Sequence, residues 1–269
     1  GFHQCASIGG LGGAVTAAKL MGLEKERMAE VIGTATIMTP MAILNLQPGF
    51  SPSDERYPMA KMLDSAQGAV AAVDAAFFTK QGVGGQKYPL EGRIGFCRAT
   101  SENPDIAAIG KDLGVEFRSG QAFYKLYCIT RWFHGAVDLT LQMMREHNIG
   151  ASDIERMQVK TLYWTSLRNI ATGPANHVWE CLTGSLSYAV AHTVLYPDEM
   201  FSPNLYSDQS RPKRLPDVHE YRKRIEVQEE PRFTEQFPGK IPTSVEIRTK
   251  NGKTYSAQSD FFRGDEPEL

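Results

Sequence analysis

Apolar positions change their period partway along the chain. Up to about residue 81 they recur at the three-and-four spacing of helices, and from about residue 155 they alternate in short runs. Residues 6–22 read as a helix built of small residues, with Ala6, Gly9, Gly10, Gly12, Gly13, Ala14, Ala17 and Ala18, and Gly22 as its stop. Glycine in a helix interior costs about 1 kcal/mol against alanine, and is tolerated where another backbone must come close. A second helix follows over Leu23–Met38, with Leu23, Met28, Val31, Ile32 and Ala35 in register. Four prolines make residues 40–58 a loop. Helix resumes over Met59–Gln81, where Ala66, Ala69, Val70, Val73, Ala76 and Phe77 form the expected apolar face, ended by Gly82. A loop over Gly82–Arg98 leads to a short acidic helix expected near Asn103–Leu113.

The pattern then becomes mixed. Gly135–His147 is helical and closes on the Gly150 turn, and Glu155–Tyr163 alternates as a strand with Met157, Val159 and Thr161 on one side. Val178–Tyr196 is a helix that sets Ser185, Tyr188 and His192 about one turn apart, Pro203–Pro216 is loop, and Lys223–Gln228 is a second strand. Asn251-Gly252 between Ser244–Thr249 and Thr254–Ser259 is the signature of a type I′ hairpin. The fold class is α+β, with an antiparallel sheet of at least three strands after a helical portion.

Composition narrows the function. The 269 residues are 42% hydrophobic and 22% charged with a net charge of −2, as in a globular protein of one large or two ordinary domains. Phosphate contacts need clustered basic charge, so nucleic acid is not an expected partner. No apolar run has the length of a membrane span, and no signal peptide opens the chain. Cys5, Cys97, Cys128 and Cys181 show no metal-binding spacing and fit free thiols in the cytoplasm. The run Gly9–Gly13 is not a nucleotide loop. Val15 stands where the last glycine would fall, and no strand precedes it.

Candidate chemistry gathers in Phe123–Asp138, where Lys125, Arg131 and His134 stand among large apolar and aromatic side chains. Such a cationic cluster at a change of architecture suits a cleft, although long cationic side chains also snorkel from cores to solvent. Lys61 is a second candidate. It falls in the first turn of its helix, where a cation opposes the helix dipole.

Four places taken together resemble the MmgE/PrpD family, which includes 2-methylcitrate dehydratase, iminodisuccinate epimerase and cis-aconitate decarboxylase. The first is Gly1-Phe2-His3 running into the small-residue helix and Leu20-Met21-Gly22-Leu23. The second is Lys61 with Ala66, Gly68 and Ala69, then Leu90-Glu91-Gly92 and Gly95-Phe96. The third is Lys125–Asp138, similar to the family's Lys-x-Tyr-Pro segment and its His-x-Ala-x-Asp, and the fourth is Leu186–Ala191. The closing hairpin and Phe262-Arg263-Gly264 also fit. Gln4 stands in place of the usual Pro, Asp64 where a His is common, and Cys128-Ile129-Thr130 in place of a Pro-containing stretch.

The resemblance implies an all-helical domain, here in part as residues 1–118, and a smaller α+β lid over 119–262, with 263–269 starting back toward the helical domain. It places the pocket at His3, Lys61, Lys125 and Tyr188 as catalytic residues, with Lys61, Lys125 and His134 binding substrate; Arg131 of the cationic cluster is expected to bind substrate beside them. It implies a cofactor-independent lyase acting on a small di- or tricarboxylic acid, dehydrating a 2-methylcitrate-like hydroxy acid. Epimerisation or decarboxylation of a similar acid would use the same residues, and a non-catalytic binding subunit is the reading from another class. The family's middle portion is what the chain covers. The expectation is therefore that a second polypeptide supplies the remaining helices and that such units dimerise.

Overall fold

The computed structural model describes residues 4–41, 63–167, 184–201 and 215–265. The small-residue periodicity of the first third gives α1 (Gln4–Leu20), α2 (Lys25–Met38) and α3 (Leu63–Lys80). A Schellman-type stop ends α1: Gly22 takes φ +75°, its N–H reaches Lys19 O, and the Leu23 N–H reaches Ala18 O.

The glycines of α1 do what close packing requires. A Cβ on Gly68 of α3 would stand 2.6 Å from the Ala6 carbonyl of α1. Only a hydrogen fits there, so the two backbones touch. Gly10 and Gly13 face the same contact, whereas a Cβ on Gly9 or Gly12 would meet nothing within 4 Å. The second helix joins this pair through Val31 and Ala35, through a hydroxyl bond between Thr34 and Thr79, and through Arg27, which donates to the Thr79 carbonyl. The apolar face of α3 is turned the other way from expectation. The helix buries Gly68, Ala71, Ala72, Ala75, Ala76 and Thr79, and leaves Val70, Val73 and Phe77 exposed. The tight contact with α1 selects the smallest side chains, not the most apolar.

A short α4 (Phe96–Thr100) follows. Where an acidic helix was expected near Asn103–Leu113, the chain forms only a 3-10 turn at Ile106–Ala108, capped by the Asp105 carboxylate. Gly110 and Asp112, both at positive φ, stop it from propagating.

The chain divides into two units, one of Gly1–Asn45 with Met59–Gly120 and one of Leu46–Pro58 with Gln121–Leu269. The second unit carries α5 (His134–Glu146), β1 (Ile154–Thr161), α6 (Tyr163–Ser166), α7 (Leu186–Leu195), α8 (Leu215–Tyr221), β2 (Ile225–Glu229), α9 (Pro231–Gln236), β3 (Thr243–Thr249) and β4 (Thr254–Ser259). Its sheet runs β2-β1-β3-β4. The fold is α+β as expected, but the sheet is mixed: β1 pairs antiparallel with β3 and parallel with β2. The connection from β1 to β2 contains α7, and a helical crossover is what lets two strands run parallel.

Register explains the core. Val227, Val159, Val245 and Ala257 line one row across the four strands, and Ile225, Met157, Ile247 and Tyr255 line the next. Both rows face α5 and α7, which close the core with Val137, Leu139, Leu141, Tyr188 and Val190. The opposite face carries the polar row Glu226, Gln158, Glu246 and Ser256. The hairpin falls where expected, but its turn is not type I′. Gly252 takes φ +86° while Asn251 does not enter positive φ. The Asn251 carboxamide oxygen instead accepts from the Thr249 hydroxyl and the Lys253 N–H, which holds the turn without a second left-handed residue.

Candidate active site

Residues 122–130 of the second unit form neither helix nor strand. This irregular stretch carries Lys125, which is exposed, and leads through a single 3-10 turn, Arg131–Phe133, into α5. Its shape must come from ties to other segments, and the residues after β4 supply them. The Tyr124 N–H donates to the Gly264 carbonyl at 3.1 Å. Arg131 donates to both oxygens of the nearly buried Asp265, at 2.5 and 2.6 Å. The Arg131 guanidinium also lies 4.4 Å from the centroid of the Phe123 ring and 5.7 Å from that of Phe262.

A second cluster lies one turn along α5. Tyr127 donates its hydroxyl proton to Asp138, and Arg263 donates both to Asp138, at 2.8 Å from Nε, and to the Tyr127 oxygen. Two groups near the start of α5 and an arginine more than a hundred residues further along the chain thus close a ring of charge-assisted bonds. Burial, with the Asp138 bond and charge adding to it, pushes the Tyr127 phenol well above its ordinary range. Partial burial works against the Arg263 charge, but the bond and charge of Asp138 outweigh it and hold the guanidinium above its usual value.

His134 opens α5 between these clusters and is fully buried. Its ring lies 5.1 Å from that of Tyr127 and 5.3 Å from that of Phe262, centroid to centroid. Burial lowers its pKa to about 4; nearby Asp138 opposes the shift, and the Lys125 and Arg131 charges reinforce it. The imidazole is neutral near pH 7.

Lys125 and Arg131 both lie near enough to His134 for their charges to act on its ring. Tyr188 lies in the first turn of α7, capped by Ser185, and is only 1% exposed within the core. His3 and Lys61 lie outside the described residues. Sequence reasoning did not single out Tyr127, Asp138, Arg263 or Asp265. Asp138 and Arg263 stood in the quoted motifs, but nothing in a one-dimensional spacing joins them. Beside the Asp138–Arg263 pair a groove of about 530 Å³ opens between α5 and the end of β4, lined among others by Gln142, Arg145, Ser259 and Phe262. Its volume suits a small polar molecule.

No group of three or more His, Cys, Asp or Glu placed to hold a metal ion occurs among the described residues. None of the described helices is long and apolar enough to cross a membrane.

A close-packed helical unit and an α+β unit with a cation-bearing loop clasped beside a helix start together define the class. Two family models match the chain: the MmgE/PrpD N-terminal domain over residues 1–108, and the MmgE/PrpD C-terminal domain over residues 127–269. The chain belongs to the MmgE/PrpD family. Comparison with curated proteins finds no matching relative.

Proposed function

We propose that this protein is a cofactor-independent hydro-lyase of the cytoplasm that dehydrates a small 2-methylcitrate-like hydroxy acid. The observation that carries the reading is the match of both family domains, a family of dehydratases and related enzymes. Dehydration removes a proton from the carbon next to a carboxylate and expels hydroxide from the neighbouring carbon, leaving an alkene and water. Charge builds on the carboxylate oxygens as the proton leaves, so fixed cations lower the barrier most. In this reading Lys125 and Lys61 hold carboxylates and His3 takes the proton. Tyr188 returns a proton to the departing hydroxyl, and its burial would have to be relieved when substrate seats. Arg131 and His134 would meet substrate only if the Asp265 pair and the aromatic cover yielded, so the reading rests on Lys125 ahead of them. Epimerisation or decarboxylation of a similar acid remains the finer alternative within the same site.

The reading includes a second polypeptide whose helices cover the exposed apolar side chains of α3 (Leu63, Val70, Val73 and Phe77), and dimerisation of the resulting units. Obligate interfaces of that kind bury roughly 2,000 Å² or more. Size-exclusion chromatography with mass detection tests it. A stable, active monomer of 29.8 kDa would refute it.

The activity is tested on a panel of citrate-like acids by following alkene absorbance. Lys125→Met should lower kcat/KM by about a hundredfold or more with little change in Tm. A folded protein that turns over none of these acids would instead be a binding subunit. A collapse of stability in Lys125→Met would make that lysine structural.

A further inference from the structure

We propose that Tyr127, Asp138 and Arg263 form a positioning cluster that sets the place of Lys125, the residue on which the functional reading above rests. Lys125 stands in an irregular stretch with no helical or sheet ladder of its own. The stretch is pinned on both sides of it by the same short segment after β4. On one side the Tyr124 N–H is bonded to the Gly264 carbonyl. On the other, two residues past Lys125, the Tyr127 hydroxyl is locked between Asp138 and Arg263. Asp138 belongs to α5, so the second pin refers the loop to a rigid element of the core. The fit at the first pin is tight. Gly264 takes φ +90°, and a Cβ there would stand 2.2 Å from the Tyr124 carbonyl oxygen. A cationic side chain gripping a carboxylate loses effect quickly when misplaced, since a displacement near 1 Å can cost about a hundredfold in rate.

The cluster acts through geometry, not by touching substrate. Tyr127→Phe keeps the ring and removes one bond to each partner, while Arg263→Met removes the Arg263 side-chain link to Tyr127 and Asp138 and leaves the Tyr124–Gly264 bond in place. Arg263→Lys keeps the charge beside Asp138 and gives up the forked donor, so it should restore part of what Arg263→Met loses.

The experiment uses the intact protein carrying 13C-dimethylated lysines, with the Lys125 methyl signal assigned by its loss in Lys125→Arg. Tyr127→Phe and Arg263→Met should shift that signal, and Tyr255→Phe, a ring on β4 outside the cluster, should leave it in place. In the activity assay Tyr127→Phe should raise KM and lower kcat/KM by about tenfold, with Tm held within a few degrees. In a Lys125→Met background the same change should have almost no further effect on binding of the acid. An unmoved Lys125 signal in both cluster variants overturns the proposal whatever the activity. So does an equal loss of kcat/KM in the presence and absence of Lys125. A signal shifted in both cluster variants, with a wild-type protein that neither binds nor turns over any acid, supports the positioning and removes the lyase reading instead.

Discussion

In the first unit α1 meets α3 through Gly10, Gly13, Gly68 and Ala72, while in the second unit α5 and α7 lay Leu139, Leu141 and Tyr188 on two rows of strand residues. Both contacts exclude water, yet by different means. Small residues bury little area each, so the helical unit gains from backbones brought within contact distance, where many weak dispersion terms add. The α+β unit gains from large side chains, each removing much apolar surface from water. The difference also decides where polar and charged groups can be kept. A core of large side chains can enclose an imidazole and screen Asp265 beneath an arginine, and a seam of glycines has no room for either.

The comparison predicts opposite failures: the second unit should break when holes are made, the first when gaps are filled. Phe133 is fully buried, and Phe133→Ala should cost about 4 kcal/mol in urea unfolding of the second unit. A loss below 1 kcal/mol would mean that the core there is not packed as described.

The next effect is one of pH. His134 has a folded pKa lowered to about 4 from an ordinary 6.5, so the unfolded chain binds the proton first as pH falls. The stability contributed by the neutral ring is complete above pH 6.5 and is lost as the pH drops toward 4, by about 3 kcal/mol. Urea midpoints at pH 7 and 4.5 should separate in the wild type and draw together in His134→Phe. Equal separations would show that other groups carry the acid limb.

In the first unit, Gly68→Val forces side-chain atoms against the Ala6 backbone and should cost about 2 kcal/mol. The smallest effect has the reverse sign. Gly9 and Gly12 lie in the same helix as Gly10 but face open space, so Gly9→Ala and Gly12→Ala should each stabilise by about 0.5–1 kcal/mol. Thermal unfolding of the three glycine variants of α1 and α3 would separate the two faces, and destabilisation by Gly9→Ala would place a neighbour where none is described.

How much of this was legible follows from the same physics. Period and breakers placed α1, α2, β1, β3, β4 and the hairpin, because each is set by residues close in sequence. The face of α3 was misjudged because Val70 and Phe77 outrank alanine in apolarity, and size, not apolarity, governs that contact. The parallel place of β2 could not be read, since pairing direction depends on a crossover of some sixty residues. At the site, Lys125, Arg131 and His134 were visible as one run of sequence. Tyr127, Asp138 and Arg263 were not, because the last two are 125 residues apart and nothing local ties them.

The bond between Tyr124 and Gly264 has a consequence for the chain as an object that can be cut and rejoined. Tyr124, just before α5, and Gly264, just past β4, are neighbours, with Arg131 and Asp265 paired alongside. A unit with adjoining ends can be inserted into a host loop or circularly permuted with a short connector, because neither operation stretches its core. Pulling at residues 122 and 265 would load this clasp ahead of the sheet, so the clasp should open before the strands begin to separate.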